Sequence, residues 1–200
     1  MTLVGLDFDN TLVRYDKLFH QLALEKGLIK ESLPADKTTI RDYLRSRAQD
    51  EQFTLLQGEV YGSRILEAEP ADGMLKALGV LHQRRIPMVL VSHKTKTPYK
   101  GPAYNLHQAA WNWLEKHGFF DSNGLGWSHD QVFFEESKKE KVARIEAQSC
   151  SHYVDDLPEI LEMLPSGIKA ILYDPQKSNS NHNFYQLTDW ALLTKSIPLE

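Results

Sequence analysis

The sequence predicts an α/β fold: a mostly parallel sheet of about five strands with helices between them, plus an inserted all-helical segment. Short apolar runs alternate along the chain with helical patterns, which is typical of parallel strands joined by right-handed crossovers. The interval 15–71, directly after the first strand, breaks this alternation because it contains helical patterns and no convincing strand. We therefore expect a core domain formed by residues 1–14 and 72–200. Residues 15–71 are expected to form a helical cap domain over the carboxyl end of the first strand.

The predicted strands are short apolar runs without alternation, a pattern typical of strands that are covered on both faces. They are TLVGLDF at 2–8 and the runs at 86–92, 131–134, 151–154 and 169–173. Helical patterns between and beside them lie at 72–85, 103–118, 137–148 and 157–164. Ser137 stands where the N-cap of the third of these helices is expected.

The composition is that of an ordinary globular protein, with 42% apolar and 25% charged residues among 200. A net charge of −4 gives no general basic field, so nucleic acid is not an expected partner. Cys150 is the one cysteine, which excludes an intrachain disulfide and a cysteine-rich zinc site and favours a reducing compartment. The first apolar run is too short for a signal peptide or a membrane span and is broken by Asp7. A cytoplasmic location is therefore expected.

The stretch GLDFDNTLV at 5–13 places two aspartates one residue apart at the end of the first strand. Residues i and i+2 of a strand point to the same side, so Asp7 and Asp9 face one pocket if the strand geometry persists, and Asn10 and Thr11 then turn the chain. Ligands of open α/β sheets bind at the carboxyl ends of the strands, where this pair lies. Two close carboxylates suit Mg²⁺, and they suit a division of labour between a nucleophile and a proton carrier.

The segment DFDNT at 7–11 resembles the DxDxT motif of the haloacid dehalogenase (HAD) superfamily of phosphatases and phosphotransferases. The second motif of that superfamily matches Ser92 in VLVSHKT, whose hydroxyl would bind a phosphate oxygen. His93 and Lys94 follow it and are placed to line the same pocket. The resemblance therefore implies phosphate chemistry at the carboxyl end of the sheet.

The third motif is a lysine near the start of the helix that precedes the fourth strand. ESKKEKVARI offers Lys138, Lys139 and Lys141. Lys138 is favoured because it follows Ser137 directly, and Lys141, one turn further on, is its rival. The fourth motif is the acidic pair Asp155 and Asp156 in YVDDLPEIL. Both would help to hold the metal, and Asp156 is the expected direct ligand.

The resemblance spans residues 5–160 and implies a Rossmann-like HAD core with a cap of the C1 type, because the helical insertion lies between the first two motifs. Superfamily phosphatases carry an acid at the position of Asp9, whereas dehalogenases lack one. By resemblance, Asp7 attacks phosphorus and forms an aspartyl-phosphate. Asp9 protonates the leaving alcohol and then activates water, and Thr11 fixes the turn.

The resemblance also implies the remaining contacts of the site. The implied Mg²⁺ ligands are Asp7, Asp9 (through its backbone carbonyl), Asp155 and Asp156. The implied substrate contacts are Asn10, Ser92, His93 and Lys94. The implied catalytic set is Asp7, Asp9, Thr11 and Ser92, with Lys138 or Lys141.

We therefore expect a Mg²⁺-dependent phosphatase of a small phosphorylated metabolite. The acidic pair also occurs in nucleotidases and polynucleotide phosphatases of the superfamily, so a nucleotidase or a nucleic-acid-end phosphatase is an alternative. A HAD-fold module that binds a phosphorylated ligand or a protein without turnover is another. Each motif also has a simpler interpretation: a plain turn for DFDNT, a solvated helix face for KKEK and a helix N-terminus for the acidic pair.

Overall fold

The computed structural model of the chain describes residues 2–178 and 183–197. Its backbone divides into two compact units. The first unit consists of Met1–Val13, Pro70–Lys94 and Gly118–Glu200, and the second consists of Arg14–Glu69 and Thr95–His117. The second unit contains nearly all of the expected cap and, in addition, the segment that follows Lys94. The division into a core domain and a cap domain stays a prediction.

Eight strands lie in the described part of the chain. They are β1 (Val4–Leu6), β2 (Val13–Arg14), β3 (Glu69–Pro70), β4 (Met88–His93), β5 (Val132–Glu135), β6 (His152–Asp155), β7 (Lys169–Tyr173) and β8 (Tyr185–Leu187). Strands β2 and β3 form a separate two-stranded sheet. The other six form one sheet in the order β5-β4-β1-β6-β7-β8.

Every pairing within the six-stranded sheet is parallel, which confirms the predicted α/β fold class. The five predicted strands are all present. The sixth, β8, was not predicted, because only Leu187 of its three side chains is buried and so the apolar signal is weak. A continuous apolar run marks a strand in the sequence only when both of its faces are covered.

The middle of the sheet is formed by β1 between β4 and β6. Leu6 pairs in register with Leu90 of β4 and with Val154 of β6, and β4 continues three residues further to His93. All three strands are almost entirely buried. The polar residues that follow them are therefore brought to one edge of the sheet.

The helices alternate with the strands in the first unit and form most of the second. They are α1 (Asp16–Glu25), α2 (Lys37–Arg45), α3 (Asp50–Tyr61), α4 (Met74–Gln83), α5 (Leu106–Lys116), α6 (Lys138–Ala147), α7 (Pro158–Glu162) and α8 (Leu193–Ser196). Short 3₁₀ turns lie at Ile65–Glu67, His129–Gln131 and Trp190–Leu192. None of the helices in the described part of the chain is long and apolar enough to cross a membrane.

The second unit is held together by aromatic packing among its helices. Phe19 of α1 stacks on Phe53 of α3 with ring centroids 5.6 Å apart, and Tyr61 meets Phe19 edge-on at 5.8 Å. Trp113 of α5 is fully buried and donates its indole N–H to the carbonyl of Ala68 at 2.9 Å. This contact explains why α5 packs within the second unit, although it follows a strand of the first.

Candidate active site

The candidate site lies at the carboxyl ends of β4, β1 and β6. Asp7 follows β1 directly, Ser92 is near the end of β4, and Asp155 is the last residue of β6. The Asp7 backbone N–H donates to the carbonyl of Val154 at 2.9 Å, which continues the β1–β6 pairing past the end of the strand. Adjacent parallel strands bring these polar groups to one edge, which is where doubly wound sheets bind ligands.

Asp7 is the centre of this cluster, and it is only 4% exposed. Its Oδ1 accepts a hydrogen bond from Ser92 Oγ at 2.8 Å and one from Lys141 Nζ at 2.6 Å. Its Oδ2 accepts from Thr11 Oγ1 at 3.3 Å. A buried carboxylate is costly unless it is paired and hydrogen-bonded, and these three donors supply that compensation.

The lysine that contacts Asp7 is Lys141, and not Lys138, which the sequence favoured. Lys138 makes a surface ion pair with Glu159, whereas the side chain of Lys141 is 2% exposed. Lys138 is the first residue of α6, and Lys141 lies one turn later on the helix face that also buries Ile145. Residues i and i+4 share a face of a helix, so Lys141 projects with Ile145 toward the buried side of α6.

Lys141 also joins Asp7 to Asp155, because its Nζ donates to Asp155 Oδ2 at 2.6 Å. Burial lowers the pKa of Lys141, but the charges of Asp7 and Asp155 outweigh that effect and raise it above its ordinary value. Burial and the neighbouring charge of Asp7 raise the pKa of Asp155 to about 7, against the opposing effect of Lys141. Lys141 therefore keeps its charge between the two carboxyl groups.

A tight turn after β1 places Thr11 between two acids. Asn10 has a φ of 59°, in the left-handed region that asparagine tolerates better than most residues. The backbone N–H groups of Leu12 and Val13 both donate to the carbonyl of Phe8, which closes the turn. Thr11 Oγ1 then lies 3.3 Å from Asp156 Oδ1 as well as 3.3 Å from Asp7 Oδ2. Asn10 itself is at the turn, and its backbone shapes the loop.

The side chains of the two residues after Ser92 point to opposite sides, because successive residues of a strand alternate between its two faces. Lys94, two positions on, donates to both carboxylate oxygens of Asp9, at 2.9 and 2.7 Å. His93 points the other way, and its Nε2 lies 3.2 Å from the carbonyl oxygen of Glu136. The structure therefore brings Ser92 and Lys94 to the two aspartates and directs His93 away from them.

Three acidic side chains lie close enough together to bind one metal ion. Ligand oxygens of Asp7, Asp155 and Asp156 all lie within 4.8 Å of one another, and two of them flank the Thr11 hydroxyl. Oxygen donors of this kind suit Mg²⁺. With Asp9 and the two lysines included, four carboxylates meet two ammonium groups, a formal excess of two negative charges that one divalent cation would balance. The Asp9 carboxylate lies outside the group of three.

Comparison with solved structures identifies the fold. A HAD-family hydrolase of Deinococcus radiodurans, with bound phosphate and sodium, has a TM-score of 0.63 and 13% identity, over 98% of this chain and 94% of the other. This chain has the HAD fold. A HAD hydrolase of Bacillus subtilis bound to magnesium (TM-score 0.56, 11% identity, 98% and 97% of the chains) has the same fold. A HAD-superfamily hydrolase of Ehrlichia chaffeensis also has this fold, with a TM-score of 0.53 and 15% identity over 98% of this chain and 97% of the other. No protein-family model and no curated protein matches the sequence.

The structure brings most of the residues predicted for the site close together, and their roles stay a prediction. All the predicted acids, Thr11 and Ser92 lie together at the sheet edge. The pairing of Lys94 with Asp9 was missed, since the sequence assigned that lysine to substrate. The alternation along VLVSHKT was the available signal, because it places Lys94 on the side of Ser92 and His93 on the other.

Proposed function

We propose that this chain is a Mg²⁺-dependent phosphatase of the HAD superfamily, which hydrolyses a small phosphorylated metabolite through an aspartyl-phosphate on Asp7. The observation that carries the proposal is the setting of Asp7: a buried carboxylate bonded to Lys141 and Ser92, with the Asp9 side chain two residues away. A carboxylate nucleophile needs fixed cations and donors around the group it attacks, and this setting supplies both.

In the proposed reaction an Asp7 oxygen bonds to phosphorus while the ester P–O bond breaks. The leaving oxygen keeps the bonding electron pair and takes a proton from Asp9. Water then attacks phosphorus, its proton passes to Asp9, and the P–O bond to Asp7 breaks to release inorganic phosphate. Lys141 and Ser92 bind the charged oxygens in both halves. Phosphoryl transfer depends chiefly on such positioning and charge stabilisation.

The proposed metal site uses Asp7, Asp156 and the backbone carbonyl of Asp9, with Asp155 beside them. Both oxygens of Asp155 already accept hydrogen bonds, from Lys141 and from the backbone N–H of Leu157. Asp155 is therefore better suited to orient Lys141, and Asp156 to bind the ion directly. Bound Mg²⁺ would neutralise charge on the phosphoryl oxygens. The Bacillus subtilis neighbour is described as magnesium-bound, which supports this choice.

Phosphate chemistry is favoured over dehalogenation, although some neighbours of the same fold are dehalogenases. The reason is Asp9, because an acid at this position supplies the proton that an alkoxide leaving group needs and that a halide does not. The Deinococcus radiodurans neighbour is described with bound phosphate. A cap role for residues 15–71 and a cytoplasmic location belong to the same proposal.

The test is hydrolysis of 4-nitrophenyl phosphate by the wild-type chain and by Asp7→Asn, each with Mg²⁺ and with EDTA. We expect turnover only for the wild type with Mg²⁺, and a trapped phosphorylated peptide that contains Asp7. The exposed Asp72→Asn is the matched control and should keep full activity. Turnover by Asp7→Asn at the wild-type rate would refute the proposal. Chloride release from 2-chloropropionate without phosphate release would show dehalogenase chemistry.

The class of substrate needs a second measurement, because specificity in a shared fold depends on residues outside the reacting centre. We expect sugar phosphates to have higher kcat/KM values than mononucleotides. The reverse order would favour the nucleotidase alternative. Mg²⁺ binding without turnover of any phosphate ester would favour a binding module.

A further inference from the structure

The ion pair between Lys94 and Asp9 is the feature of the site that the proposed reaction does not yet use. Lys94 Nζ lies 2.9 Å from one carboxylate oxygen of Asp9 and 2.7 Å from the other. The Lys94 side chain is 3% exposed, whereas the Asp9 side chain is 24% exposed. The lysine is thus the buried partner, and the aspartate is the one that solvent or a ligand reaches.

The backbone fixes Lys94 in this place. It directly follows β4, and its N–H donates to the carbonyl of Glu135 at 2.8 Å, which continues the β4–β5 pairing beyond His93. The side chain then passes over the ring of Phe8, with Nζ 5.2 Å from the ring centroid. A buried ammonium on an ordered strand end has little freedom, so it fixes the group that it binds.

Asp9 has the opposite surroundings. It stands at the start of the turn that Asn10 forms with a positive φ, and an isolated bridge pairs its backbone with Val13. Contact with Lys94 through both oxygens selects one orientation and leaves the exposed side of the carboxylate facing outward.

The two aspartates of the motif therefore each have a lysine of their own. Lys141 binds Asp7 and Lys94 binds Asp9, and both lysine side chains are almost completely buried. Lys141 comes from α6 and Lys94 from the end of β4, so the two carboxylates are fixed independently. If Lys94 instead bound substrate, its Nζ would have to leave both Asp9 oxygens first.

We propose that Lys94 is a positioning residue, which holds the Asp9 carboxylate in the orientation that takes a proton from the attacking water. This inference rests on the proposed phosphatase function. In the hydrolytic half, the water oxygen bonds to phosphorus, the water proton passes to an Asp9 oxygen, and the Asp7–phosphate bond breaks. A general base must lie within hydrogen-bond reach of that water, so an unfixed Asp9 slows this half of the reaction.

The test uses 4-nitrophenyl phosphate, because 4-nitrophenolate is a stable leaving group that needs little protonation. The first half of the reaction then depends weakly on Asp9, and the second half depends on it fully. Stopped-flow measurement gives the rate constant of the initial release of nitrophenolate and that of the steady state. In Lys94→Met we expect the steady-state rate constant to fall about 10- to 100-fold, and the ratio of initial to steady-state rate constants to rise at least 10-fold.

Three further variants make the result specific. Lys94→Arg keeps the charge and should recover a large part of the steady-state rate. Lys94→Gln tests the same position with a neutral donor and should resemble Lys94→Met. Lys76→Met removes an exposed lysine from α4 and should leave both rate constants unchanged. Thermal unfolding of each variant establishes that it is folded.

The outcomes separate this inference from the function on which it rests. If the wild type shows no Mg²⁺-dependent turnover above Asp7→Asn, the phosphatase proposal fails and the role of Lys94 fails with it. If the wild type is active but both rate constants of Lys94→Met fall equally, Lys94 is structural. If KM rises and kcat does not change, Lys94 binds substrate. If neither neutral variant folds, the ion pair serves stability and the positioning role is wrong.

Discussion

Replacing Lys141 with methionine should destabilise the protein far more than the same replacement at Lys138, although both residues lie on α6. Lys141 Nζ is 2.6 Å from a carboxylate oxygen of Asp7 and 2.6 Å from one of Asp155, and all three groups are buried. Methionine keeps most of the side-chain volume and removes the charge. The loss is therefore chiefly electrostatic.

The magnitude follows from the surroundings of each lysine. Removing one member of a buried ion pair costs about 3–5 kcal/mol, because the remaining charge is left uncompensated. Here two carboxylates lose the ammonium that they share. The Lys138–Glu159 pair, with side chains 41% and 55% exposed, belongs to the class worth about 0–1 kcal/mol. The two variants should therefore differ by at least about 2 kcal/mol.

Urea unfolding followed by far-UV circular dichroism measures this difference, with EDTA present so that no divalent cation contributes. Adding Asp155→Asn to Lys141→Met removes one of the two carboxyl groups that shared the ammonium and should recover part of the loss. A Lys141→Met loss below about 1 kcal/mol, the value of an exposed pair, would refute the reasoning. Equal losses for the two lysines would do the same.

Three further predictions concern the core around the sheet. Gly5→Ala should cost about 1–3 kcal/mol in urea unfolding, because its Cβ would lie 2.6 Å from the buried ring of Tyr153 and 2.9 Å from the sulfur of Cys150. Gly79→Ala should instead gain up to about 1 kcal/mol, because outside its own stretch of helix no atom of the described residues lies within 4 Å of the added methyl group. A similar loss in both variants would contradict the close packing at Gly5. Burial raises the pKa of Cys150, the one cysteine of the sequence, to about 12. A thiol reagent at pH 8 should therefore modify it only as fast as the protein opens. Fast labelling of the folded protein would contradict this prediction. Burial lowers the pKa of His152, so as the pH falls this histidine is protonated in the unfolded chain at a higher pH than in the folded chain. The free energy of unfolding should therefore fall as the pH drops below about 6.5. The fall should be smaller in His152→Gln, and an equal fall would exclude this histidine as its cause.

The acids of the candidate site could be located from the sequence because their signals are local. Asp7 and Asp9 end an apolar run, and Asp155 and Asp156, which the resemblance to the HAD superfamily indicated, end another. In a parallel sheet such positions meet at one edge, whichever helices connect the strands. The same local reasoning placed the helix cap at Ser137, whose side chain accepts from the Glu140 N–H.

The choice of lysine needed the three-dimensional structure. Near the start of a helix, Lys138 and Lys141 are both candidates by sequence, which favoured Lys138, and the packing of α6 selects Lys141. That face is set by Ile145, which is buried against the sheet. The contact between Lys141 and Asp7 joins residues 134 positions apart, so no local pattern encodes it.

The sequence by itself determined the α/β class, the parallel direction of the short buried strands and the edge at which the acids gather. Each of these follows from hydrophobic periodicity and from spacing within a few residues. The tertiary structure alone decided that Lys94 binds Asp9 and that α5 packs with the second unit through Trp113. These outcomes depend on which side chains meet across the folded chain, and burial then makes each charged contact obligatory, because an unpaired charge in the interior is too costly to keep.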